Sequence, residues 1–341
     1  MTAGRAGWGY KMTATLLVVV PIVLLLLIGS FCFVGCTFDT HGLGLGFVQY
    51  SDLDIIPNSD CVAYWPLNDS PFQNTALDVV GKAHGDPHNG TYKNVSTNPG
   101  LFACPGYVLN ATIPITTPAA TGTQTIGAPG IVTGDTVPPH DPKNPISATC
   151  MDTDGGFVSV PANSTCNPPV FSLECWVRPG WNEGDPAASR SIFDARHQVG
   201  TDRFGYSLLV SDAGKWTAFI FLGGATPLLT VTASKVDFTA ATHLVLTFDG
   251  ANAAIFVNGT QAATGSLPPG AVFTPNTAGR LAIGAGFPYL ADRTPGQTEP
   301  PPLFPVLPFK GKIQDVAIYK AVLSDTTIMN HSEHGKGNAT G

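Results

Sequence analysis

Side chains able to do chemistry are few and scattered in this chain. It has four glutamates, Glu174, Glu183, Glu299 and Glu333. Glycoside hydrolysis needs paired carboxylates, one to protonate the leaving group and one to attack or to activate water. No Glu-x-Asp-x-Glu triplet occurs, and Glu174, inside a strand pattern, has no second acid near it in sequence. Gly-x-Ser-x-Gly elbows, phosphate loops and His-Glu-x-x-His pairs are also absent. These residues predict a protein that binds rather than catalyses. Asp152 and Asp154 alternate as metal ligands do, and a solvated turn before a strand explains them equally well. His331 and His334 fall at the end of a predicted helix, where a positive side chain suits the dipole without any metal. Four loop aromatics remain as ligand or partner contacts: Trp181, Phe287, Tyr289 and Phe304. They suit sugar stacking and anchoring of a protein partner alike. Trp65, Trp176 and Trp216 fall in strand patterns and read as core.

Where such residues would work is set by the start of the chain. Leu16 to Gly35 is apolar and uncharged, and 20 residues of helix span about 30 Å, the thickness of a bilayer core. Arg5 and Lys11 precede the run and no acid appears before Asp39, which favours a cytoplasmic N-terminus. Three readings stay open: an uncleaved signal anchor, a lipoprotein signal in which Phe33-Val34-Gly35-Cys36 presents Cys36 for lipidation, and a cleaved secretory signal. Each puts the rest of the chain outside the cytoplasmic membrane. The predicted organisation is a stub and membrane segment over 1–36, a linker over 37–58 and a single domain over 59–341.

Composition fits an external β protein. Charged residues are 12% of the chain, while Gly (38) and Pro (30) are abundant. The net charge of −7, with no basic run after the membrane segment, argues against nucleic-acid partners. Beyond Cys32 and Cys36 lie Cys61, Cys104, Cys150, Cys166 and Cys175, in a compartment where disulfides persist. Cys104 and Cys150 bracket a Pro/Thr/Gly-rich stretch and are placed to staple its base, although connectivity does not follow from sequence. Eight of the 16 asparagines begin Asn-x-Ser/Thr sequons: Asn68, Asn89, Asn94, Asn110, Asn163, Asn258, Asn330 and Asn338.

Short runs rich in Val, Ile, Phe and Thr recur between Gly, Asp and Asn turns, at Cys61–Leu67, Gly156–Val160, Phe171–Arg178, Ser191–Arg196, Phe204–Val210, Lys215–Phe221, His243–Phe248, Ala253–Val257, Arg280–Ala285 and Lys310–Tyr319. His243–Phe248 and Ala253–Val257 form a hairpin, and Asn258-Gly259 marks the next tight turn. One helix is expected, capped by Ser324, with Asp325 at its positive end and Gly335 closing it. Residues 105–148 and 286–308 read as long irregular insertions. Apolar residues in the second argue that it packs on its own domain or on a partner.

Six segments in order make a pattern. They are Ala63–Asp69, Asp78–Gly85 leading to Asn89-Gly90-Thr91-Tyr92, Gly155–Pro161, Phe171–Pro179, Phe256–Gly259, and Gly311–Tyr319 followed by Ala321–Ser324. Together they resemble the laminin-G-like and pentraxin-like branch of the concanavalin A-like jelly rolls, over about residues 61–335. The resemblance implies an all-β fold, a two-sheet antiparallel jelly-roll sandwich, here behind one N-terminal transmembrane helix. It also implies a structural calcium held by the Asp78 carboxylate, the carbonyls of Gly81 and His84, and the Asp315 carboxylate. The resulting expectation is a non-enzymatic module displayed outside the cell membrane, its partners the bilayer and the subunits of a larger membrane complex. The alternative is a surface adhesin or carbohydrate-binding module with glycan partners.

Overall fold

The computed structural model describes residues 50–69, 75–83, 89–93, 111–114, 121–132, 136–137, 146–147, 149–154, 156–182, 188–199, 202–223, 229–276, 278–286 and 307–337. The chain divides into two units, Met1–Phe47 and Val48–Gly341, and every described residue belongs to the second. The apolar run and Cys36 lie outside the described residues. Among those described, no helix is long and apolar enough to cross a membrane.

In chain order the strands are β1 (Cys61–Trp65), β2 (Thr75–Ala76), β3 (Gly90–Lys93), β4 (Ala111–Pro114), β5 (Thr121–Pro129), β6 (Thr136–Val137), β7 (Ile146–Ser147), β8 (Thr149–Asp154), β9 (Phe157–Val160) and β10 (Phe171–Pro179). They continue as β11 (Arg190–Asp194), β12 (His197–Val199), β13 (Asp202–Val210), β14 (Lys215–Leu222), β15 (Leu229–Lys235), β16 (Thr242–Phe248), β17 (Asn252–Val257), β18 (Thr260–Ser266), β19 (Leu281–Ile283) and β20 (Lys310–Tyr319). A π-helical turn (Ser51–Ile55) precedes them, α1 (Val79–Ala83) follows β2, and α2 (Asp325–Gly335) follows β20.

These strands form two nine-stranded antiparallel sheets. Sheet A runs β18-β17-β16-β10-β20-β8-β5-β4, with β1 also on β20; sheet B runs β15-β14-β13-β11-β19-β9-β3-β2, with β12 also on β13. Side chains alternate across a strand, so one set fills the space between the sheets. On β10 that set is Phe171, Leu173, Cys175 and Val177. It meets Tyr206, Leu208 and Val210 of β13, with Phe171 stacked on Tyr206 at 4.1 Å. Trp65 and Trp216 are buried in the same core. The expected two-sheet sandwich is the observed one.

The other set on β10 matters more for the site. Antiparallel sheets commonly leave one face to water, yet Glu174 and Trp176 are buried on the outer side of sheet A. A second apolar cluster covers that side, in which Tyr50, Ile55, Leu323 and Ile328 pack on Trp176, Val245, Phe256, Ala317 and Tyr319. The end of the expected linker is therefore part of the domain, because Tyr50 and Ile55 have an apolar surface to bury on. Gly335 lets α2 come this close: a Cβ there would lie 2.2 Å from Trp176 Cζ2.

Local signals held where they were strongest. Ser324 Oγ accepts the Thr327 N–H at 3.1 Å and starts α2. Asn258 and Gly259 take φ of 51° and 82°, as a tight hairpin turn requires. The stretch 105–148 differs from its irregular reading. Its described residues include β4 and β5, the edge of sheet A, and the β6–β7 pair, since Thr-rich segments pair readily even among prolines. Of the stretch 286–308, only Gly286, Leu307 and Pro308 are described. Burial pushes the Cys150 thiol up to about 12 and those of Cys61 and Cys175 higher. Cys104, the other end of the expected staple, lies outside the described residues.

Candidate functional site

Polar chemistry in this domain collects on the outer faces of the two sheets. On sheet A it converges on Glu174. Tyr50 donates its hydroxyl to Oε1, and Tyr319 donates to Oε2 at 2.8 Å. His243 Nε2 lies 2.7 Å from Oε1, and His331 Nδ1 lies 3.1 and 3.0 Å from the two oxygens. An ionised carboxylate only accepts, so each facing ring nitrogen carries the proton. Burial pushes Glu174 up, but the charge of His331 and the hydrogen bonds from His243 and His331 hold it well below the usual carboxylate range. Burial lowers His331, and Glu174, with Asp54 behind it, raises it on balance. Burial and the nearby Glu174 charge keep both tyrosines protonated far above their usual range. His334 Nδ1 bonds Asp54 Oδ2 at 2.7 Å. The cluster thus ties the turn at the start of the domain and the helix at its end to the middle of sheet A. With two oxygens answered by four donors, Glu174 has no capacity left for a substrate.

Sheet B carries a second polar arrangement. Its register sets Ser159 of β9 beside Ala282, Ala282 beside Asp194, Asp194 beside Ser207, and Ser207 beside Phe219. The adjoining row holds Ser191, Leu209 and Thr217. Their strand neighbours Val158, Phe193, Leu208 and Ala218 fill the inter-sheet core, which places these rows on the outer side. Arg196 Nε lies 2.8 and 2.7 Å from the two Asp194 oxygens, and Nη2 also donates to Oδ2. The guanidinium sits 5.9 Å from the Phe221 ring centre, and Phe219 meets Phe221 edge-on at 6.3 Å. Ser159, Ser191 and Ser207 are buried, and their hydroxyls have no hydrogen-bond partner. Buried hydroxyls are normally answered by protein or water, and these three, in adjoining rows of one face, are exceptions to that rule.

The residues singled out by sequence fall as follows. Asp78 is buried and its Oδ1 accepts the N–H groups of Tyr64 and Gly81, each at 2.9 Å. Asp315, in a left-handed conformation (φ 52°), accepts the Tyr64 hydroxyl at 2.7 Å. The two carboxylates thus serve opposite ends of one tyrosine, locking α1 and β20 to β1. His84 lies outside the described residues. Among those described, no group of three or more His, Cys, Asp or Glu side chains is placed to hold a metal ion. Trp181 is half-buried, edge-on to Phe238 and Phe309 at 5.7 and 5.3 Å, with the Arg190 guanidinium 4.7 Å over its ring. Phe287, Tyr289 and Phe304 lie outside the described residues.

Asp194, Arg196 and the three serines escaped sequence reading because each looks ordinary alone. The available signal was polar residues at alternate positions of strands otherwise apolar. For Glu174 it was a carboxylate inside Phe171–Arg178 combined with two histidines on one helix.

Comparisons with known proteins bear on the fold. No curated protein matches the chain in sequence. A structure of botulinum neurotoxin type C described with two ganglioside molecules aligns at a TM-score of 0.46 and 13% identity, over 82% of this chain and 52% of that one. The binding domain of botulinum neurotoxin DC in complex with SialylT gives 0.45 and 12%, over 81% and 52%. A Trypanosoma rangeli sialidase mutant displaying trans-sialidase activity gives 0.46 and 15%, over 82% and 34%. The chain thus spans about half the length, or less, of these structures. Likeness so distant does not bear on function. The family profile described as concanavalin A-like lectin/glucanases superfamily, Laminin_G_3, matches residues 152–329. With its two antiparallel sheets and the profile running from β8 into α2, this chain belongs to the laminin-G-like family of the concanavalin A-like superfamily.

Proposed function

We propose that this protein is a non-enzymatic binding module, displayed outside the membrane by its apolar run, whose ligands are glycans met on the outer face of sheet B. One observation carries the reading: three buried serine hydroxyls without partners lie around the Asp194–Arg196 pair on that face. A sugar brings many hydroxyls, each donor and acceptor, and the nearby Phe219 offers an apolar ring surface of the kind sugars stack on. These side chains are buried, so a ligand reaching them displaces what covers them. Non-enzymatic action is supported by Glu174, whose two oxygens are fully occupied, and by Glu333, which pairs with Lys336 at 2.8 Å.

The test is binding of the full chain, in mild detergent, to immobilised polysaccharides, beside Ser159→Ala and Ser207→Ala variants. Retention of the wild type, with at least about tenfold weaker retention of the variants at unchanged melting temperature, supports the reading; tenfold corresponds to about 1.4 kcal/mol. Absence of retention, or variants that bind like the wild type, overturns it.

A second reading, an accessory subunit of a membrane complex, rests on a separate observation. Among the described residues the exposed large apolar side chains are Leu53, Ile56, Val272, Val322 and Met329, and all but Val272 lie in the N-terminal turn region and the segment carrying α2. Those two segments are joined by Asp54 and His334. Stoichiometric recovery of other membrane proteins in a mild-detergent pull-down is the result this reading requires.

A further inference from the structure

Sequons are common in Thr-rich chains, and the motif alone does not say which of them the folded domain can carry with a sugar attached. Among the described residues two are set aside, Asn68 because Ser70 of its sequon lies outside those described, and Asn89 because its Oδ1 accepts the N–H of the buried Asp78 at 2.9 Å. Asn258 stands exposed at the tip of the β17–β18 turn, with Thr260 exposed beyond it. Its Oδ1 accepts the His243 N–H at 3.0 Å. The oxygen and nitrogen of an amide point apart, so tying Oδ1 to the domain's own backbone turns Nδ2 away from it. Asn163 repeats this arrangement in the turn after β9: its Oδ1 accepts the N–H of Thr165, the exposed third residue of its own sequon, at 2.8 Å. Asn330 is exposed on α2. A Cβ on Gly259 would lie 3.0 Å from Ser332 Cβ and 3.1 Å from Met329 Cα, so the turn bearing Asn258 and the helix bearing Asn330 meet at one corner.

We propose that Asn163, Asn258 and Asn330 are N-glycosylation sites, the last two carrying their glycans side by side at the corner where the β17–β18 turn meets α2. The donor is a lipid-pyrophosphate-linked oligosaccharide. The Asn Nδ2 forms a bond to the anomeric carbon, the bond from that carbon to the pyrophosphate oxygen breaks, the lipid pyrophosphate leaves, and Nδ2 gives up one proton. Ser332, buried once α2 has docked, is within reach of the transferase only while the chain is still emerging, so modification at Asn330 precedes helix docking. Glycans at this corner stand beside the exposed Met329 and leave little room there for a protein partner. The inference rests on external display, as read above.

The experiment takes the full chain from its native membranes. Sealed vesicles establish by protease protection which side the domain occupies. The recovered protein is then treated with peptide N-glycosidase in heavy-oxygen water, and Asn-to-Asp conversion is mapped at each position. Conversion at 163, 258 and 330, with one glycan step lost in each Asn→Gln variant, is expected. Unconverted asparagines in a domain shown to be external overturn the glycosylation and leave the display reading standing. A domain digested from the cytoplasmic side overturns both.

Discussion

The outer faces of the two sheets solve the same physical problem in different ways. Each buries a carboxylate, Glu174 on sheet A and Asp194 on sheet B. Around Glu174 two tyrosines and two histidines supply donors to both oxygens, from an N-terminal turn, two strands and a C-terminal helix. Around Asp194 the ion pair is local, from a residue two positions on, and nearby serine hydroxyls go unanswered. A buried network fed from distant segments joins and rigidifies them, although Trp176 Nε1, His243 Nδ1 and Ser332 Oγ on the sheet A side have no partner, as the sheet B serines have none. The contrast therefore sets a long-range lock on the first face beside an ion pair between near neighbours on the second, and it can be broken by experiment.

The largest expected effect is at Glu174. Glu174→Ala leaves buried histidine charge and tyrosine hydroxyls unanswered and should cost about 3–5 kcal/mol in denaturant unfolding. A loss below about 1 kcal/mol would show that this face is not the lock described. Gly335→Ala pushes a methyl into Trp176 and should cost about 1–3 kcal/mol unless α2 shifts. Loss of α2 helicity without loss of the sheet signal in the same variant would sharpen the view that the helix is held by this face alone.

Acidity offers a third test. His331 is raised in the folded state, so its contribution is complete below its ordinary value of 6.5 and is lost as pH rises through the folded value. Glu174 is depressed, so its contribution is complete above its ordinary value of 4.5 and is lost as pH falls through the folded value. Stability of the wild type should be greatest between these limits and decline on the alkaline side. His331→Gln, which keeps a donor but does not titrate, should flatten that alkaline decline in melting curves taken across pH.

On sheet B the prediction reverses. Ser159→Ala, Ser191→Ala and Ser207→Ala remove hydroxyls that have no partner, so each should change stability by no more than about 0.5 kcal/mol, or raise it. A loss of about 1–3 kcal/mol from any of them would mean its hydroxyl is satisfied in solution and would erase the contrast. The smallest effect is expected from calcium. The Asp78 oxygen that receives two N–H groups and the Asp315 oxygen that receives the Tyr64 hydroxyl already have protein partners. Chelation should therefore leave the melting temperature unchanged, and an upward shift on adding calcium would support the metal reading.

How much of this was legible depends on the range of each interaction. β10, β16, β17 and β20 could be read because alternation and the turns between them are local, as is the Ser324 cap of α2. β15 and β18 were not read: their Thr and small residues alternate weakly, and pairing with neighbours decides them. Tyr50 was placed in a linker because its glycine-rich neighbours look like one; its hydroxyl partner lies 124 positions away. His331 read as a helix-end charge for the same reason, its carboxylate being 157 positions away.

By itself the sequence determined the all-β composition, the hairpins and the capped helix, since propensity, alternation and turn chemistry act over a few residues. It also ordered the segments that identify the family. Only the tertiary structure decided that Glu174 would meet four donors and that three serines of sheet B would be buried without partners. That outcome depends on which residues two sheets, a turn and a helix bring within hydrogen-bond distance, and no local pattern encodes it.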